Sequence, residues 1–158
     1  FEITKEYETK VIPEHIETAD PEALRINGYK PENWKGAKPL GTAIEEFNNL
    51  APGAMIVGWN MSLDWIFLAL SYKKVGIKRS YDYHAIDILP LAWVEALKNG
   101  EAHPRTPGAP ATGGQVKQIK LSEFYDRYVG GERAGKHQAM ADIKATYELF
   151  RKLIEKRS

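Results

Sequence analysis

Two side chains suited to moving protons and holding hard cations lie close together late in this sequence: His137 and, five residues on, Asp142. The stretch HQAMADIKATYELFRKLIEKR, His137 to Arg157, repeats Met140, Ile143, Tyr147, Phe150 and Ile154 at three-and-four spacing. That spacing predicts a long helix laid lengthwise on a core. At about 100° per residue Asp142 projects on the flank of Ala139, Leu149 and Leu153. Burying a carboxylate there costs on the order of several kcal/mol unless something positive meets it. A bound cation would serve, and so would Lys144 or Lys136. His137 follows Gly130, Gly131 and Gly135, a loose approach along which a substrate can place an imidazole that titrates near neutral pH.

A third chemistry-bearing residue, Asp64, stands in the first turn of another predicted helix. Ala54 to Gly58 is a short, wholly apolar run, the pattern of a strand buried on both faces and the best choice for the centre of a sheet. Asn60 and Ser62 can then cap a helix over Leu63 to Lys74, with Leu63, Ile66, Phe67 and Leu70 turned inward. Strand, tight turn and helix in succession present residues at the carboxyl edge of a sheet, where α/β proteins keep their sites.

The remaining elements form the support. Phe1 to Val11 alternates strand formers with glutamate and lysine and reads as extended. Pro21 to Ile26 is a short helix capped by Asp20 and stopped at Asn27-Gly28. Leu40 to Pro52 is a helix with Thr42 as cap and Ile44, Phe47 and Leu50 inward. Tyr83 to Ile86 is a second short strand, after which Asp87 opens a helix through Leu97, with Pro90 tolerated in the first turn. Glu101 to Gln118, rich in proline and glycine, reads as a mobile loop of the sort that touches substrates. Ser122 caps a helix over Glu123 to Tyr128. Asp87 is read as a helix cap, and His15, His84 and His103 as incidental, having no partners at ligand spacing.

Composition narrows the chemistry. At 158 residues the chain is expected to be one domain with a real core. Charged residues make up 27% yet the net charge is only +1, so no global field steers nucleic acid or a membrane to it. The absence of cysteine removes thiolate zinc sites and a cysteine nucleophile and leaves carboxylate and imidazole as ligands. No apolar run approaches a membrane span, so the expectation is a soluble, cytoplasmic protein with no membrane partner.

Three segments in order, GWNMSLDWIFL (Gly58 to Leu68), HAIDILPLA (His84 to Ala92) and HQAMAD (His137 to Asp142), resemble the DnaQ-like DEDDh exonucleases. That family's second motif has the form G-H-N-x-x-F-D-x-x-F-L. Gly58, Asn60, Asp64 and Leu68 match it, while Trp59 and Leu63 stand where His and Phe are usual. The H-x-A-x-x-D of the third motif is met by His137, Ala139 and Asp142. Ile86-Asp87-Ile88-Leu89 repeats the family's I-D-x-L, and the opening VIPEHIETADPEALRINGY resembles the stretch after its third strand. The resemblance spans nearly the whole chain.

The resemblance implies an α/β, ribonuclease-H-like fold with a mixed central sheet flanked by helices. It implies a 3′–5′ exonuclease acting on single-stranded or frayed DNA, or on RNA, with two Mg²⁺ or Mn²⁺ ions. Asp64 and Asp142 would be metal ligands, His137 the general base, and Asn60 and Trp59 substrate contacts, Trp59 by flanking a terminal base. The family's first motif, a D-x-E on the first strand, has no counterpart in residues 1–11. Glu6 and Glu8 share the right alternation, but the register puts this stretch after that motif. The expectation is therefore an exonuclease-like domain over residues 1–158, N-terminally incomplete, with its first strand upstream of Phe1 and with a polymerase or a larger host chain as its expected partner. The alternative reading is a catalytically inactive exonuclease-fold domain that binds nucleic acid or protein.

Overall fold

The computed structural model describes residues 2–100, 120–131 and 138–155. Among them the chain is α/β, with six α-helices and one small parallel sheet. The helices are α1 (Pro21–Ile26), α2 (Leu40–Leu50), α3 (Ser62–Val75), α4 (Ile88–Lys98), α5 (Leu121–Tyr128) and α6 (Ala139–Glu155). The strands are β1 (Ile56–Gly58) and β2 (Ala85–Asp87). The backbone divides into two compact units, one of Ile56–Met61 with His84 onward, the other of Glu2–Met55 with Ser62–Tyr83.

In the first unit β1 and β2 pair in parallel, in the register Ile56 to Ala85, Val57 to Ile86 and Gly58 to Asp87. This two-stranded sheet stands among the described residues in place of the expected mixed central sheet. The core of the unit is helical. Ile88, Ala92 and Ala96 lie at four-residue spacing on one face of α4 and share a fully buried cluster with Phe124 of α5 and Leu149 of α6. Leu153 completes it. Two alanines in that stripe leave room for the larger side chains that fill it. The Tyr125 hydroxyl donates to Glu148 Oε2 at 2.5 Å, tying α5 to α6.

In the second unit α1 forms as expected. Asp20 Oδ1 accepts from the backbone N–H groups of Glu22 (2.7 Å) and Ala23 (3.1 Å), and Gly28 exits at φ 64°. Residues 2–10 form no ladder. Among the described residues of the expected strand over Phe1 to Val11, only Val11 pairs, in a single bridge to Lys38, because alternation supplies a strand face but not a partner strand. Helix α2 begins at Leu40 behind Pro39, with no side-chain cap, so Thr42 is internal. Asn48 fixes the far end of the unit: its Oδ1 accepts from the Tyr72 hydroxyl (2.9 Å) and from Ser80 N–H (2.7 Å). Tyr81 is buried against the edges of Phe47, Trp65 and Tyr72.

The inward face of α3 is not the expected one. Leu63, Ile66, Phe67 and Leu70 are all more than half exposed, Leu63 at 67%. The half-buried and buried positions are Trp65, Leu68, Ser71, Tyr72 and Val75, of which the large side chains Trp65, Leu68, Tyr72 and Val75 form a second apolar face. Both sets have helical spacing, so periodicity could not decide between them. Likewise the run Ala54 to Gly58 is not buried on both faces, since Met55 and Val57 are 48% and 38% exposed. Helix α5 starts at Leu121, leaving Ser122 inside it, with no side-chain cap.

Glu46 of α2 receives hydrogen bonds from Lys38 Nζ (2.6 Å) and the Tyr7 hydroxyl (2.7 Å). The bond from Lys38, then that from Tyr7, holds its carboxyl below the ordinary 4.5. A lowered carboxyl stabilises the fold above its unfolded value, and that contribution is lost as pH falls through the folded value. Thermal melts of the wild type and Glu46→Gln should therefore differ most above pH 4.5 and converge in stronger acid. A difference that does not change with pH would show that the triad is not electrostatic in origin.

Candidate functional site

The site is built outward from the last rung of the β1–β2 ladder. Gly58 pairs with Asp87 there, and beyond it the chain turns through Trp59, Asn60 and Met61 before α3 begins at Ser62. Asn60 has φ 54°, the left-handed region that asparagine tolerates better than other side chains. Backbone N–H groups that leave a strand must find acceptors elsewhere. Asp87 supplies them: Oδ1 accepts from Asn60 N–H at 2.9 Å and Oδ2 from Met61 N–H at 3.1 Å. The same Oδ1 accepts from Leu89 N–H at 3.0 Å, which makes Asp87 the N-cap of α4. The cap was legible in the sequence. The hold on the turn was not, although the I-D-x-L pattern marked the residue.

Met61 is buried and folds back over Gly58. A Cβ on Gly58 would lie 2.7 Å from Met61 Cγ and 3.0 Å from its Sδ. Glycine is thus required here for close approach, independently of any ligand. Trp59 is half-buried, with its ring centroid 5.3 Å from that of Phe124 at a 53° tilt. Its indole is anchored to the α4–α5–α6 core while part of it stays accessible. Asn60 is exposed, so its side-chain amide faces solvent.

Asp142 lies in the first turn of α6, and its backbone N–H donates to the Gln138 carbonyl at 2.9 Å. The buried positions of α6 are Ala145, Thr146, Leu149 and Leu153, whereas Ile143 is 58% exposed. The helix is therefore rotated from the expected orientation. Its core stripe runs Asp142, Thr146, Leu149, Leu153, at steps of four, three and four. Asp142 is half-buried at the head of that stripe, and its Oδ1 is buried completely. The partial positive charge of a helix N-terminus favours an acid in this turn.

Asp64 is exposed in the first turn of α3 and belongs to the other compact unit. His137 and Gly135 lie outside the described residues, as does the segment Glu101 to Gln118. One literal D-x-E in the second unit, Asp20-Pro21-Glu22, is a helix start: Asp20 caps α1 and Glu22 pairs with Arg25 at 2.6 Å. Among the described residues no three His, Asp or Glu side chains are gathered as a metal-holding group. No described helix is long and apolar enough to cross a membrane. Asp64 and Asp142 carry hard carboxylate oxygens, the type that Mg²⁺ or Mn²⁺ takes. Comparison of the sequence with models of known protein families and with curated proteins gives no match.

The Gly58–Met61 contact is testable by itself. Gly58→Ala should destabilise the fold by about 1–3 kcal/mol through overpacking. Met61→Ala removes the obstructing side chain, so in a double-mutant cycle read by urea denaturation the pair should cost less than the sum of the singles. Additive losses would mean that the glycine is needed for some reason other than Met61.

Proposed function

We propose that this chain is a metal-dependent 3′–5′ exonuclease domain of the ribonuclease-H-like kind, acting on single-stranded or frayed DNA ends or on RNA. The observation that carries the reading is Asp142. It heads the core stripe of α6 with one oxygen withdrawn from water, and its carboxylate is a hard oxygen donor of the type that Mg²⁺ or Mn²⁺ takes. Its support is the turn after β1, in the same compact unit, where exposed Asn60 and anchored Trp59 stand beyond the carboxyl end of a parallel strand. That is where α/β proteins bind ligands.

Asp142 would be a metal ligand, with water and phosphate filling the remaining positions, and Asp64, of the other compact unit, is a ligand on the motif resemblance alone. Two bound Mg²⁺ or Mn²⁺ ions would supply charge stabilisation for the attacking and leaving oxygens of the phosphodiester. His137 would take the proton of the attacking water, a task that suits an imidazole at neutral pH. Trp59 would lie against the terminal base, and Asn60 would offer its amide to the nucleotide. A second reading is an inactive exonuclease-fold module that binds nucleic acid or protein.

With Mg²⁺ or Mn²⁺ a 5′-labelled single-stranded oligonucleotide should shorten stepwise, and chelation of the metal should stop it. Asp142→Ala and His137→Ala should each lower the rate by at least about a hundredfold while the far-ultraviolet circular dichroism stays unchanged. Undiminished cleavage in either variant would sink the assignment. Saturable binding without cleavage under any metal would establish the inactive module instead.

A further inference from the structure

We infer that Asp87 is a positioning residue for the nucleotide-contacting turn, a role beyond capping α4. The inference rests on the reading that Trp59 and Asn60 meet the terminal nucleotide. Capping needs one carboxylate oxygen and one amide, here Oδ1 and Leu89 N–H at 3.0 Å. Asp87 does more than that. Its Oδ1 also takes Asn60 N–H at 2.9 Å, and Oδ2 takes Met61 N–H at 3.1 Å. Serine or threonine is as common at helix N-caps, and neither hydroxyl would extend far enough with two acceptor atoms to span both groups.

The geometry explains why a carboxylate is used. The ladder stops at Gly58–Asp87, so the next amides along the chain have no strand to pair with. Asn60 turns into the left-handed region at φ 54°, which aims its N–H and that of Met61 back toward β2. Two adjacent amides converging on one carboxylate form a charge-assisted clamp, stronger than neutral hydrogen bonds. The clamp fixes the backbone of Asn60, and through it the direction of the exposed amide side chain and of the neighbouring indole. Met61, buried over Gly58, and Trp59, against Phe124, anchor the turn on either side. Asp87 would thus act on a bound nucleotide only through the turn.

The deciding variant is Asp87→Ser, which keeps a helix cap for Leu89 N–H but cannot reach the turn. Amide hydrogen exchange on the whole chain reads the clamp directly. In the wild type, Asn60 and Met61 should be protected, Asn60 although it is exposed. In Asp87→Ser both should exchange at least about tenfold faster while Leu89 changes little. Affinity for a short fluorescein-labelled single-stranded oligonucleotide, measured by anisotropy in Ca²⁺, should fall about tenfold. Asp87→Asn, which keeps one acceptor oxygen, should restore part of both losses.

Faster exchange with unchanged affinity would overturn the positioning role and leave the nucleic-acid reading standing. No saturable binding by the wild type would overturn that reading, and the inference with it. If Asp87→Ser does not fold, the wild-type exchange rates still decide, because unprotected Asn60 and Met61 amides would show that no clamp exists.

Discussion

A parallel pair of three-residue strands buries little and forms few hydrogen bonds, so its ends govern whether it persists. The end that matters is closed by the carboxylate of Asp87. It terminates β2, caps α4 and receives the amides of the turn after β1. Helix α4 in turn contributes Ile88, Ala92 and Ala96 to the buried cluster completed by Phe124, Leu149 and Leu153. One side chain thereby joins the short sheet to the helical core that stabilises it. Each charge-assisted bond of this type is worth about 1.5–3 kcal/mol, a large share of the margin by which a small domain is stable.

What could be read from the sequence was whatever is decided locally. Asp20 before Pro21 announces a helix start, and Asn27-Gly28 its end, because capping and left-handed exit depend on residues a few positions apart. Asp87 as the cap of α4 is legible for the same reason. Helix orientation is different in kind. On α6 the apolar residues Met140, Ile143, Tyr147, Phe150 and Ile154 make a plausible face, yet the core takes Thr146, Leu149 and Leu153. The choice lay with neighbours distant in sequence, Phe124 and Ile88 among them, which no window along the helix contains. On α3 two apolar faces compete, and Trp65 and Tyr72 settle the matter by their edge contacts with Tyr81.

The strands illustrate a further limit. An apolar run such as Ala54 to Gly58 implies burial only if layers exist to cover it, and Met55 and Val57 remain substantially exposed. Alternation over residues 1–11 likewise encodes two faces without encoding a partner, and a strand is defined by its partner. The pairing of Gly58 with Asp87 and the reach of Asp87 to Asn60 are long-range facts of the same sort. The residue types around the turn were legible, but their mutual hold was not.

The two acids singled out for metal binding are not equivalent as physical evidence. Asp64 is exposed at the start of α3, where the helix dipole welcomes a negative charge and solvation costs nothing, so its position alone is explained by ordinary helix chemistry. Asp142 enjoys the same dipole, but the rotation of α6 puts it on the stripe that enters the core and covers Oδ1. Had α6 packed on its Ile143 face, Asp142 would have stood on a flank and carried little weight. The packing of α6, decided by residues distant in sequence, thus gives the two aspartates different surroundings: one Asp142 oxygen is withdrawn from water while Asp64 stays solvated.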